Sequence, residues 1–250
     1  MAKNSLNGAV RKGLAVRNVA VQADPPRAQH AEMHTLTREQ VTTLLDAAQG
    51  HRLEALFVLA VCTGAREGEL LALHWADIDL DGKTSGKRRP PITIRYTLPR
   101  TKAEGLALQD PKTKGSRRVV PLSDEAVASL RRHKAAQNAA RLAAGAAWSD
   151  MDLVFANEFG RFIEASNLLK RDFAPLLAQA GCPAIRFHDL RHTFATLALE
   201  AGVSVKQVSA MLGHQSIAIT LDLYAHATER MEDRALAFVN NLFATRDGTG

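Results

Sequence analysis

Apolar residues recur at three- and four-residue intervals along most of the chain beyond Thr37, with one central zone where they alternate singly. The first spacing predicts amphipathic helices and the second predicts strands. Thr37-Arg38-Glu39-Gln40 has the spacing of a capping box and opens a helix through Val41, Leu44 and Leu45. Leu53 to Cys62 is apolar on every face, as a buried helix is, and Thr63-Gly64 ends it. Arg66 to Leu73 is again helical in pattern. In the central zone, Ile92-Thr93-Ile94-Arg95-Tyr96-Thr97, Leu106-Ala107-Leu108-Gln109 and Arg118-Val119-Val120-Pro121-Leu122 read as three antiparallel strands, with turns near Lys102 to Gly105 and at Lys114-Gly115-Ser116. Further helices are predicted over 124–143, 165–180, 188–201, 204–213, 216–226 and 229–244, with a short strand at Leu153-Val154-Phe155. The expected fold is α+β, mostly α-helical, with a small three-stranded antiparallel sheet on one edge.

The first 33 residues follow another pattern. Residues 5–20 read as a short helix with Leu6, Val10, Leu14 and Val19 on one side. Gln22 to Glu32, containing Asp24-Pro25-Pro26-Arg27, reads as a linker, because consecutive prolines and the residue before them resist helix. The expected organisation is an N-terminal helix and linker over 1–33, the tail end of a domain otherwise absent, and a compact domain over 34–250.

Of the 250 residues, 46% are hydrophobic and 23% charged, enough apolar material for a core, which excludes a disordered or collagen-like chain. The longest apolar run, Ala55 to Cys62, falls far short of the roughly 20 residues that cross a bilayer. The N-terminus shows no apolar signal segment. Cys62 and Cys182 have no ligand-like spacing, so a soluble protein of a reducing cytoplasm, away from membranes, is expected. Charge changes the picture more. The net charge is +6, yet residues 83–118 hold eleven basic side chains against Glu104 and Asp110 alone. So dense a basic segment is the footprint expected for a polyanion partner.

Four segments place polar residues where a core would not need them. In Ala65-Arg66-Glu67-Gly68-Glu69-Leu70, Arg66 follows a glycine turn at a helix start, where its guanidinium can face an anion, and Glu69 lies one turn on to orient it. Phe187-His188-Asp189-Leu190-Arg191-His192 puts His188 and Arg191 on one helix face, a base beside an anion clamp. Leu212-Gly213-His214 ends another helix with a histidine, and Tyr224 follows ten residues later. Singly, each has a plainer reading: a surface ion pair for Arg66 and Glu69, a capping or structural histidine for His188 or His214, a core residue for Tyr224.

In order, an Arg in an A-R-x-G-E-L context, a Lys-Thr hairpin, H-x-x-R, L-G-H and the distal Tyr resemble the tyrosine recombinase (phage integrase) family, over about Thr35 to His226. The resemblance implies that family's catalytic fold and a site-specific DNA recombinase that works through a covalent 3′-phosphotyrosyl bond. It implies Tyr224 as nucleophile, Arg66 and Arg191 as phosphate clamp, His188 and His214 as the histidine pair and Lys112 as general acid, with Lys114 the substitute. No metal, ATP or other cofactor is then required. Lys87, Arg88, Arg89, Arg95, Lys114, Arg117 and Arg118 are expected to contact DNA phosphates without reading sequence. Double-stranded DNA is the expected partner, and a homotetramer the expected assembly on it. Family members usually carry a separate N-terminal helical domain completing a clamp around DNA, against the 33 residues here. The apolar positions Met231, Ala235, Phe238 and Leu242 suit a tail that docks on a neighbouring subunit or on its own domain.

Three other readings remain open at the level of residues. A zinc hydrolase would use His188, His192, His214 and His226, but the motif is His-Asp-Leu-Arg-His and Arg191 would crowd the cation. A DNA-binding remnant would keep the fold without cutting. A type IB topoisomerase would share the chemistry and relax DNA without recombining defined sites.

Overall fold

The computed structural model describes residues 2–19, 34–81, 90–98, 108–109, 117–214 and 216–221. The chain divides into two compact units, Met1–Glu32 and Met33–Gly250. In the first, α1 (Ala2–Arg11) is shorter than the predicted helix. Gly13, at φ +70°, turns the chain out of it, and the Asn18 side chain donates back to that of Asn7 at 2.7 Å. Leu14 and Val16 therefore stand in solvent instead of extending the apolar stripe.

In the second unit the Thr37 hydroxyl accepts from the Gln40 N–H while the Gln40 side chain accepts from the Thr37 N–H, opening α2 (Arg38–Ala47). The apolar α3 (Glu54–Thr63) runs through the core against α2, α5 and α8, with Leu56, Phe57 and Leu59 wholly buried. Each such side chain contributes about 1.5–3 kcal/mol by leaving water, an upper figure because unfolded chains already bury some surface. The short α4 (Glu67–Leu71) follows the α3 terminus. β1 (Pro91–Ile94) and β2 (Arg118–Pro121) pair antiparallel, Ile92 opposite Val120 and Ile94 opposite Arg118. Their inner face carries Ile92, Ile94, Val120 and Arg118, while Val119 is exposed.

The third predicted strand lies largely outside the described residues, but Gln109 exchanges both backbone hydrogen bonds with Thr97 at 3.0 Å, an isolated bridge beyond β1. Leu153 likewise forms a single bridge, to His74, where a strand was predicted. α5 (Asp124–Ala144) is capped by Ser123. The predicted helix 165–180 is α6 (Ala165–Asn167), a π-helical stretch (Leu168–Phe173) and α7 (Ala174–Gln179). The wider turn accompanies burial of Leu168, Asp172 and Phe173 together, and both Asp172 oxygens accept from Arg52 Nη2 at 3.1 Å. α8 (Asp189–Glu200) and α9 (Val205–Leu212) pack through Ala195, Leu199, Val208 and Leu212. Of the helix predicted over 216–226, residues 218–221 are helical; the remainder and that over 229–244 lie outside the described residues. Among the described residues no helix is long and apolar enough to cross a membrane.

Candidate functional site

The ends of α3, α4, β2, α8 and α9 supply one cluster of cations. At the end of α3, Gly64 takes φ +60°, and a Cβ there would come within 2.5 Å of Leu212 Cδ2 and 2.7 Å of Phe194 Cδ1. Its carbonyl accepts from Arg191 Nη1 at 2.8 Å, and the Leu212 carbonyl, ending α9, accepts from Arg191 Nη2 at 2.6 Å. Arg191 is 3% exposed, so two helix termini hold its fork rigidly, each Nη donating to one of their carbonyls.

Arg66 precedes α4 and is 39% exposed, open to a ligand. Glu69 accepts its backbone N–H at 2.8 Å and its Nη1 at 2.8 Å, the orientation expected from their spacing. Burial pushes the Glu69 carboxyl up, but the hydrogen bonds and charge of Arg118, then those of Arg66, outweigh it and hold the group below its ordinary value. Arg191 is lowered by burial first and by Arg66 next, and at neutral pH it keeps its charge because a guanidinium does not deprotonate in that range.

His188 leads into α8 at the exposed rim, edge-on to His192 with ring centroids 5.0 Å apart. It is pushed down to about 4 by lost hydration, then by His192, Arg191 and Arg66, against Asp189. The following Asp189 is 1% exposed and accepts from the backbone and fork of Arg186, which anchors the start of α8. His214 Nδ1 is 2.8 Å from the Thr220 hydroxyl, which fixes the ring. Burial, then Arg191 and Arg66, push His214 to about 4 as well. Both rings are neutral at pH 7, able to accept a proton beside fixed positive charge.

The structure thus brings together Arg66, Glu69, His188, Arg191 and His214. Arg118 requires a correction. It was expected on the DNA-facing surface, but its side chain is 6% exposed and bonds Glu69, because it shares the inward face of β2 with Val120. Single alternation along Arg118-Val119-Val120 was the sequence signal for that inward placement. Arg95 is half exposed and pairs with Asp77 at 2.9 Å, while Arg117 is exposed. Lys87, Arg88, Arg89, Lys112, Lys114 and Tyr224 lie outside the described residues. Sequence reasoning grouped His192 with His188 and His214 only in the zinc reading, and it missed the two helix-end carbonyls that hold Arg191.

Comparisons with known proteins bear on the family and the fold. A profile of the phage integrase family matches residues 34–231. The chain is 37% identical over 252 residues to a tyrosine recombinase XerC-like protein of Caldanaerobacter subterraneus subsp. tengcongensis, covering 96% of this chain and 64% of that one. It is 34% identical over 227 residues to an integrase of Streptomyces ambofaciens, covering 88% of this chain and 57% of that one. The chain therefore spans less than two thirds of the length of these relatives. Its fold is similar to that of the Tn1549 transposon integrase in complex with transposon right-end DNA, with TM-score 0.69, 21% identity and coverage of 94% and 76%. It is also similar to lambda integrase in a tetramer bound to a Holliday junction, with TM-score 0.55, 20% identity and coverage of 88% and 56%.

Proposed function

Because the chain belongs to the phage integrase family, we propose that it is a site-specific DNA recombinase, cutting and rejoining strands through a covalent 3′-phosphotyrosyl intermediate without metal or ATP. The observation that carries this reading is the convergence of Arg66 and Arg191 with two neutral histidines, His188 and His214. A phosphodiester gains charge on its nonbridging oxygens in the pentacoordinate transition state, and preorganised guanidinium forks stabilise that charge.

In this scheme the Tyr224 hydroxyl gives its proton to His188 as its oxygen attacks phosphorus. The bond to the 5′-oxygen breaks, and Lys112, with Lys114 as substitute, protonates the leaving group. The phosphotyrosyl ester conserves the bond energy, so a 5′-hydroxyl rejoins the strand by the reverse step. Lys87, Arg88, Arg89, Arg95, Lys114 and Arg117 serve the DNA backbone; Arg118, buried on Glu69, is withdrawn from that set. Recombining two duplexes cuts four strands, so a tetramer on DNA is proposed, the state in which lambda integrase is seen on a Holliday junction.

Relaxation of supercoiled plasmid in chelator at low salt, followed by denaturing gels, tests the scheme. The chain should relax DNA and leave a covalent adduct, and Tyr224→Phe should do neither while still binding. Arg66→Ala or Arg191→Ala should slow adduct formation by about 10²–10³-fold. An adduct with Tyr224→Phe, or activity that chelator removes and zinc restores, would overturn the reading. Relaxation without exchange between defined sites would favour the topoisomerase alternative.

A further inference from the structure

Arg118 spends its fork on the protein. Its Nη1 and Nη2 donate to Glu69 Oε1 and Oε2 at 3.0 and 2.8 Å, and its Nε donates to the Met211 carbonyl at 2.7 Å. We propose that Arg118 is a positioning residue of the strand-cleaving centre, acting through Glu69 on Arg66 and through the last turn of α9 on His214. The inference rests on the functional reading above.

Two observations carry it. The Glu69 carboxylate, 5% exposed, accepts four donors, and each oxygen takes one from Arg66 and one from Arg118. Without Arg118 a buried carboxylate keeps half its donors, and the anchor of Arg66 loosens or protonates. The second is at α9, where successive carbonyls are held by arginines from different elements, Met211 by Arg118 and Leu212 by Arg191. These are orphan acceptors at the negative end of the helix, and His214 follows them by three and two residues. Gly213 between them, at φ +64°, lies so close that a Cβ would meet Arg118 Cδ at 3.0 Å and Nη1 at 3.1 Å. A lysine cannot span a carboxylate and also reach a carbonyl, because a point ammonium lacks the planar fork. β2 leaves the basic segment at Arg118, so this one side chain ties that strand to the mounts of both Arg66 and His214.

The test compares wild type, Arg118→Lys and Arg118→Gln. Each is assayed for binding to supercoiled plasmid, for covalent adduct formation at saturating DNA in chelator, and for the Arg66 side-chain resonances by arginine ¹⁵N NMR without DNA. Arg118→Lys keeps the charge and serves if Arg118→Gln does not fold. Adduct formation should fall about tenfold in Arg118→Lys and about a hundredfold in Arg118→Gln, with plasmid binding within about twofold and Arg66 signals shifted in both. A folded Arg118→Lys that cleaves at the wild-type rate overturns the proposal. So does weakened binding with an unchanged rate at saturation, which would make Arg118 a DNA contact. If wild type forms no adduct, the functional reading fails by itself, and the NMR arm still decides whether Arg118 positions Arg66: unshifted Arg66 signals overturn it.

Discussion

His188 and His214 set what the cluster can do near neutral pH, because both are held at about 4, chiefly by loss of hydration and then by neighbouring cations. In the unfolded chain they return to 6.5, so between 6.5 and about 4 the unfolded state binds more protons. Their contribution therefore lowers stability as pH falls through that window and is nil above it. Glu69 and Asp189 act later. Each is held below its ordinary 4.5 or 3.8, and the stability this confers is present above those values and lost as pH drops through the lower folded ones. We expect urea midpoints to decline from pH 6.5 to 5 before carboxylates titrate, and histidine NMR titrations to place both rings below pH 5. A ring that titrates at 6.5 or above would mean that it is neither stripped of water nor surrounded by cations as described.

Helix ends, more than helix bodies, build the site. α3 and α9 stop at glycines in the left-handed region, and the carbonyls beside those stops receive Arg191. Gly64 has two reasons to be glycine, its φ and the absence of space, whereas Gly50 at φ +76° has nothing within 4 Å of a Cβ. Gly50→Ala should thus cost about 1 kcal/mol, the conformational penalty alone. Gly64→Ala should cost about 2–4 kcal/mol, since Leu212 and Phe194 must also move. Urea denaturation of the two variants separates the terms, and equal losses would show that close packing at Gly64 contributes nothing.

For the whole molecule the relevant property is where its positive charge lies. Among the described residues of the basic segment 83–118, Arg117 is exposed and Arg95 half exposed, while Arg118 faces the core. DNA affinity should fall steeply with salt, the logarithmic slope being about −0.9 for each phosphate neutralised. Arg117→Ala should flatten that slope by about one unit and weaken binding evenly across DNA sequences. Gel-shift titrations at several salt concentrations measure it, and a slope that Arg117→Ala leaves unchanged would remove Arg117 from the DNA surface.

What the sequence determined by itself acts mostly over one turn or one alternation: the capping box at Thr37, the apolar α3, its stop at Gly64 and the pairing face of Ile92 and Ile94; the order of Arg66, His188, Arg191, His214 and Tyr224 along the chain marks the family without saying what each side chain touches. Even the inward side of Arg118 is written in its alternation with Val120. Its purpose is not, because Glu69 lies 49 residues away in the chain and Met211 lies 93 away. Tertiary structure also decided the π-helical turn that accompanies Asp172 meeting Arg52, 120 residues distant. A local pattern says which face a side chain occupies. Only the packing of distant elements says what stands opposite, and for a buried charge that opposing group decides whether it contacts a ligand or holds the residue that does.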